Sequence, residues 1–76
     1  MKNIVVYSSD TCPYCVAAKN FLTENGFEYE ERNINQNEQF RNELVEKGYR
    51  GVPVIIVDDE EIAGFDQRKL QELLGH

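Results

Sequence analysis

The feature that most restricts this chain is the run Cys12-Pro13-Tyr14-Cys15, set between an apolar segment, Ile4-Val5-Val6-Tyr7, and a stretch of helical periodicity. These are the only two cysteines in 76 residues. A small exported domain usually carries several disulfides over wide spacings, whereas a bridge across three positions closes a loop too short to remove much chain entropy. The pair is expected to serve chemistry and not scaffolding. A CxxC pair between a buried strand and a helix reads as a redox centre, so the fold must run from strand directly into helix at this point. Three residues along a helix separate Cα atoms by about 5 Å, within the range a disulfide tolerates, so dithiol and disulfide interconvert with little motion.

Ile4–Tyr7 is β-branched and aromatic with little polar alternation, the pattern of a strand buried on both faces. Ser8–Cys12 reads as a polar loop, and Pro13 fits the first helical turn because its missing N–H had no intrahelical partner there. Tyr14, Ala17, Ala18, Phe21 and Leu22 follow a helical face that Gly26 ends. Phe27–Ile34 alternates imperfectly and predicts an edge strand with a charged outer side. Asn35 followed by Glu38 resembles a capping box, opening a helix whose apolar stripe is Phe40, Leu44 and Val45 and whose stop is Gly48. Pro53–Val57 and Glu60–Ala63 predict a hairpin about Asp58-Asp59. Asp66 is expected to cap a last helix with Leu70, Leu73 and Leu74 inward and Gly75 past its end. The order is β-α-β-α-β-β-α: an α/β domain over residues 1–76, with a four-stranded mixed sheet and three helices.

In this frame Cys12 falls near the N-cap of the first helix. Free backbone N–H groups and the positive end of the helix dipole there stabilise a thiolate, and Cys15 lies one turn inside. Cys12 is therefore expected to attack a disulfide and Cys15 to resolve the mixed disulfide, leaving a redox-active Cys12–Cys15 bridge. A zinc site is poorly supplied, since only His76 offers a further soft ligand beside the two cysteines. A c-type haem needs His after the second cysteine, and position 16 is Val. Lys19, one turn beyond Cys15, is either a tuning charge or a surface lysine; Tyr7 reads as packing.

Composition excludes other classes. Hydrophobic residues make up 41% and charged ones 29%, with two prolines and five glycines, which rules out disordered and low-complexity readings. Fourteen acidic against eight basic side chains give a net charge of −6, which repels phosphate backbones and anionic lipid, so neither nucleic acid nor a membrane is an expected partner. The apolar run at Ile4–Tyr7 is short of the roughly 7–15 residues of a signal-peptide core, and a cytoplasmic location is expected.

Three separated motifs carry a resemblance to the glutaredoxins, of the thioredoxin-fold superfamily, over essentially the whole chain. Cys12-Pro13-Tyr14-Cys15 matches the dithiol active site, Val52-Pro53 the cis-proline dipeptide, and Ala63-Gly64-Phe65-Asp66 resembles the Gly-Gly-x-Asp turn after the last strand. Length and the Gly-Phe-Asp ending are similar to short glutaredoxin-like proteins, some of which draw electrons from thioredoxin reductase and not from glutathione. The resemblance implies a monomeric thiol–disulfide oxidoreductase acting on protein disulfides or glutathione mixed disulfides. It implies no covalent cofactor, and glutathione or a flavoprotein disulfide reductase as partner. It further implies a thiol-binding edge at Val52 and Pro53, a γ-glutamyl carboxylate held by the N–H groups of Phe65 and Asp66, and Tyr14 beside the substrate. Three departures from the glutathione-using pattern stand out. No Lys or Arg precedes Cys12 in Ser8-Ser9-Asp10-Thr11, where Asp10 adds negative charge. Gly51 replaces a common Thr, and Gln67 a second Asp. Arg50 is a possible replacement cation.

A rival reading from another class is a binding module in which Cys12 thiolates of two chains, with glutathione, hold a [2Fe–2S] cluster, as some glutaredoxins do. Pro13 and the resolving Cys15 argue against it, because a competing thiol displaces the cluster.

Overall fold

The computed structural model describes residues 3–75. His76, considered above as a metal ligand, and the first two residues of the 1–76 range lie outside the described residues. The elements are β1 (Ile4–Ser8), α1 (Pro13–Glu24), β2 (Glu30–Asn33), α2 (Glu38–Glu46), β3 (Val54–Val57), β4 (Glu60–Ala63) and α3 (Gln67–Leu74). They form one mixed sheet of order β2-β1-β3-β4, so the apolar β1 is central as its composition requires. β1 pairs parallel with β2, Tyr7 opposite Arg32, and antiparallel with β3, Tyr7 opposite Val54. β3 turns back onto β4 through the two-residue Asp58-Asp59 loop, with Asp58 at φ +54°. This is the thioredoxin-like arrangement implied by the resemblance.

Strand alternation sorts the side chains. Ile4 and Val6 of β1, Ile55 and Val57 of β3 and Ile62 of β4 face one side, where Ala18 and Leu22 of α1 and Leu70 and Leu74 of α3 close a dry core. The opposite side is thinner: Tyr7, Val54 and Leu44 of α2 are its buried members, flanked by half-buried Val5, Phe40 and Ile56.

The structure shifts several predicted details. β2 is shorter than Phe27–Ile34 because the Phe27 N–H closes the end of α1 on the Leu22 carbonyl at 2.9 Å, and Gly26, at φ +78°, makes that turn. Gly48 ends α2 in the same way, with the Tyr49 N–H on the Leu44 carbonyl at 3.1 Å. The cap of α2 is Asn37 and not Asn35: its side chain accepts from the Gln39 N–H at 2.9 Å, while Asn35 is drawn to the Asp10 backbone. Val45 is 61% exposed, since α2 turns Leu44 and the flank of Glu43 toward the sheet. On α1 Ala18 and Leu22 are buried as expected, with Ala17 and Phe21 half-buried beside them, but Cys15 takes the inward place in the first turn and Tyr14 is left 68% exposed. Pro53 precedes β3 and does not belong to it.

Candidate active site

Cys12 is the N-cap of α1, with extended backbone at φ −110° and ψ 105°, and Pro13 opens the helix. The Cys15 N–H donates to Cys12 Sγ at 3.1 Å, so the helix spends an otherwise unpaired donor on the outer sulfur. Cys12 Sγ in turn donates to the Val52 carbonyl at 3.6 Å. Both cysteines are free thiols; Cys12 is half-buried and Cys15 fully buried. Burial, then the hydrogen bond with Cys12, pushes the Cys15 thiol up to about 12. One sulfur is accessible beside a backbone amide, and the other is held as a neutral thiol one turn beneath it.

The Val52–Pro53 peptide is cis, and the Pro53 carbonyl accepts from the Gly64 N–H at 2.8 Å. The proposed thiol-binding edge and the turn carrying Phe65 and Asp66 are thereby tied together at the end of the sheet where β1 delivers Cys12. The roles of Phe65 and Asp66 separate from there. Phe65 packs edge-on against Phe21, centroids 6.0 Å apart, and Asp66 caps α3 by accepting from the Lys69 N–H at 3.1 Å. Tyr14, in the same first turn of α1 that buries Cys15, is turned to solvent and 68% exposed.

Three networks escaped the sequence reading. Asp10 has a structural part beside its charge: its carboxylate accepts from the Asn33 amide at 2.8 Å, and its N–H donates to Asn35 Oδ1 at 2.8 Å, clasping the loop before Cys12 to the end of β2. Lys19 Nζ meets Glu31 Oε2 at 2.8 Å, and the buried Ser8 hydroxyl donates to the same oxygen at 2.7 Å. Lys19 thereby holds Glu31 below the usual carboxylate range, and Glu31 raises Lys19. On the other face, Arg32 Nη1 lies 2.9 Å from both the Tyr7 hydroxyl and Glu43, its Nε is paired with Glu30, and the guanidinium lies over the Tyr7 and Phe40 rings. Tyr7 is thus packing and a buried hydrogen-bonding group, raised by burial first and by Glu43 next. The only signal in the sequence was parity along β2, which sends Glu31 and Arg32 to opposite faces.

Among the described residues no group of three or more His, Cys, Asp and Glu side chains is placed to hold a metal ion, and no helix is long and apolar enough to cross a membrane.

Comparison with known proteins gives a consistent result. The family model described as Glutaredoxin matches residues 4–62. The glutaredoxin-like protein NrdH of Lactococcus lactis subsp. lactis (strain IL1403) is 34% identical over 70 residues, 92% of this chain and 97% of that one. Glutaredoxin 3 of Escherichia coli (strain K12) is 37% identical over 67 residues, 87% of this chain and 81% of its own. The solved structure of the glutaredoxin-like protein NrdH-redoxin from Escherichia coli, described as having a thioredoxin-like activity profile, superposes with a TM-score of 0.86 at 28% identity, covering 93% of each chain.

Proposed function

Since the chain belongs to the glutaredoxin family and is a thiol oxidoreductase with a Cys12/Cys15 motif, we infer that these two cysteines carry its chemistry. From that premise we propose that it reduces protein disulfides, with Cys12 attacking, Cys15 resolving, and a flavoprotein disulfide reductase as electron source in preference to glutathione. The observation that carries the cysteine roles is the 3.1 Å contact from the Cys15 N–H to Cys12 Sγ, set against the full burial of Cys15. Cys12 thiolate attacks one sulfur of the substrate disulfide, forming a mixed disulfide and releasing the other sulfur as a thiolate, which takes a proton. Cys15, deprotonated, then attacks Cys12 Sγ; the Cys12–substrate bond breaks, and the second substrate sulfur leaves with the electron pair. Two electrons pass to the substrate, and the Cys12–Cys15 disulfide awaits the donor.

The donor preference is supported by the loop before Cys12. It carries no cation for the glycine carboxylate of glutathione, and its one charge, the Asp10 carboxylate, is negative and stays so while it accepts from the neutral Asn33 amide. The thioredoxin-like activity profile of the similar NrdH-redoxin points the same way.

Two experiments test the reading. Cys12→Ser is expected to abolish exchange, while Cys15→Ser accumulates a mixed disulfide at Cys12 by mass spectrometry; adducts chiefly on Cys15 in the wild type would reverse the roles. For the donor, turnover of a protein disulfide is measured with thioredoxin reductase and NADPH, and separately with glutathione, glutathione reductase and NADPH. The first is expected to be faster, and the opposite ranking refutes the preference. Ser9→Lys should raise the glutathione-coupled rate about tenfold at low salt, the worth of one charge-assisted hydrogen bond, and added salt should erode the gain.

A further inference from the structure

The resolving step contains a difficulty that the dithiol geometry alone does not solve. Cys15 is the buried thiol, and a thiol attacks only as its thiolate. The side chains around it show what favours that form.

Lys19 lies one helical turn beyond Cys15, on the same side of α1. Its side chain does not reach freely into solvent; only 24% is exposed, and its Nζ is held 2.8 Å from Glu31 Oε2. Glu31 is fixed in turn by the Ser8 hydroxyl, which is itself fully buried at the end of β1. The backbone of the next residue, Ser9, also favours the Cys15 thiolate. Adjacent residues at the end of one strand thus both bear on the resolving sulfur, Ser9 through its backbone and Ser8 through the clamped ammonium. The charged and titratable groups around this corner are Cys12 at the helix cap, Lys19 on α1, Glu31 on β2 and Tyr29 just before it.

We propose that Lys19, held in place by the Glu31 carboxylate and the Ser8 hydroxyl, supplies the positive charge that brings Cys15 to its attacking form in the resolving step. The proposal rests on the dithiol mechanism above. Lys19 acts through its field on Cys15, and Glu31 and Ser8 are positioning residues for it. Neither Lys19 nor Glu31 takes the proton: the pair drives Lys19 up and Glu31 down, so neither changes charge near neutrality. The Cys15 proton passes to solvent, and the thiolate attacks Cys12 Sγ and expels the substrate thiolate. In the reduced dithiol both burial and Cys12 oppose the Cys15 thiolate, while Lys19 and the Ser9 backbone favour it. Once Cys12 is tied up in a mixed disulfide its charge is gone. Burial is then the remaining opponent, and the clamped lysine carries more of the outcome.

The test separates the two chemical steps in one trace. The reduced protein is mixed with 5,5′-dithiobis-(2-nitrobenzoate) in a stopped-flow instrument. Cys12 attack releases one thionitrobenzoate, and Cys15 resolution then releases a second. For Lys19→Met the second phase should slow about twofold or more at pH 7, with its pH profile moved up. The loss of thiolate is partly offset by the higher nucleophilicity of a more basic sulfur. The first phase should be unchanged, and Lys19→Arg should keep the wild-type profile. A second-phase profile identical in Lys19→Met and wild type overturns the proposal, as does an equal slowing of both phases. Failure of the underlying mechanism looks different: the wild type itself would then show no first phase, or a first adduct on Cys15.

Discussion

The two faces of the sheet solve the burial problem in opposite ways. The face covered by α1 and α3 is a dry apolar core in which Val6, Ala18, Leu22, Ile55 and Leu70 are wholly buried. Among the described residues the face under α2 has Tyr7, Leu44 and Val54 as its buried apolar cluster and completes its cover with the Arg32 guanidinium, stacked on two rings and paired with Glu30 and Glu43. A nine-residue helix cannot cover a four-stranded sheet with apolar side chains alone, so charged groups lie flat across the remainder. The difference shows where redox chemistry is housed. Cys15 belongs to the helix of the dry side, and its burial there makes it a protected thiol while Cys12, at the cap, stays within reach.

The sharpest break in that comparison comes from core truncation. Leu22→Ala should cost toward the upper part of the roughly 2–5 kcal/mol expected for a buried leucine, and Leu44→Ala toward the lower part, because the thin α2 face can relax around the gap. Urea unfolding of the two variants reads this directly, and equal losses would make the faces energetically alike.

The next effect is on pH dependence. Cys15 is pushed up to about 12 by burial, so in alkali the native state keeps a proton that the unfolded chain has lost. The reduced protein should therefore lose stability as pH rises from about 9 toward about 12. Cys15→Ser should lose less over the same interval in denaturant titrations at stepped pH.

Tyr7→Phe tests the polar face. It removes the hydroxyl between Arg32 and Glu43 but leaves their own 2.9 Å pair, so it should cost about 1 kcal/mol without altering the rate of Cys12 alkylation. Slower alkylation would show that the α2 face reaches the redox site.

The smallest effect is expected for Lys19→Met on stability. The Lys19–Glu31 pair is partly exposed and should contribute at most about 0.5–1 kcal/mol, fading as acid titrates Glu31 through its lowered range. A larger loss would mark the lysine as structural first.

Local rules reached far in this chain. Cys12 as cap with Pro13 behind it, the left-handed stops at Gly26 and Gly48, the two-residue hairpin at Asp58-Asp59 and Asp66 as the cap of α3 all follow from near neighbours. Each depends on backbone geometry or a hydrogen bond within a few residues, and so they were legible, as was the closeness of Cys12 to Cys15 at the start of α1. Tertiary structure decided what depends on distant parts of the chain. Asn37 became the cap of α2 once Asn35 was claimed by Asp10, 25 residues earlier. Tyr14 was left in solvent because α1 seats Cys15, Ala18 and Leu22 inward and so turns Tyr14 away. The meeting of Ser8, Lys19 and Glu31 was set by the parallel register of β1 with β2 and by the seating of α1 on one face. No period in the sequence encodes which charge will stand beside which sulfur; that is settled only when strands separated in sequence come into register and fix the direction of every side chain on them.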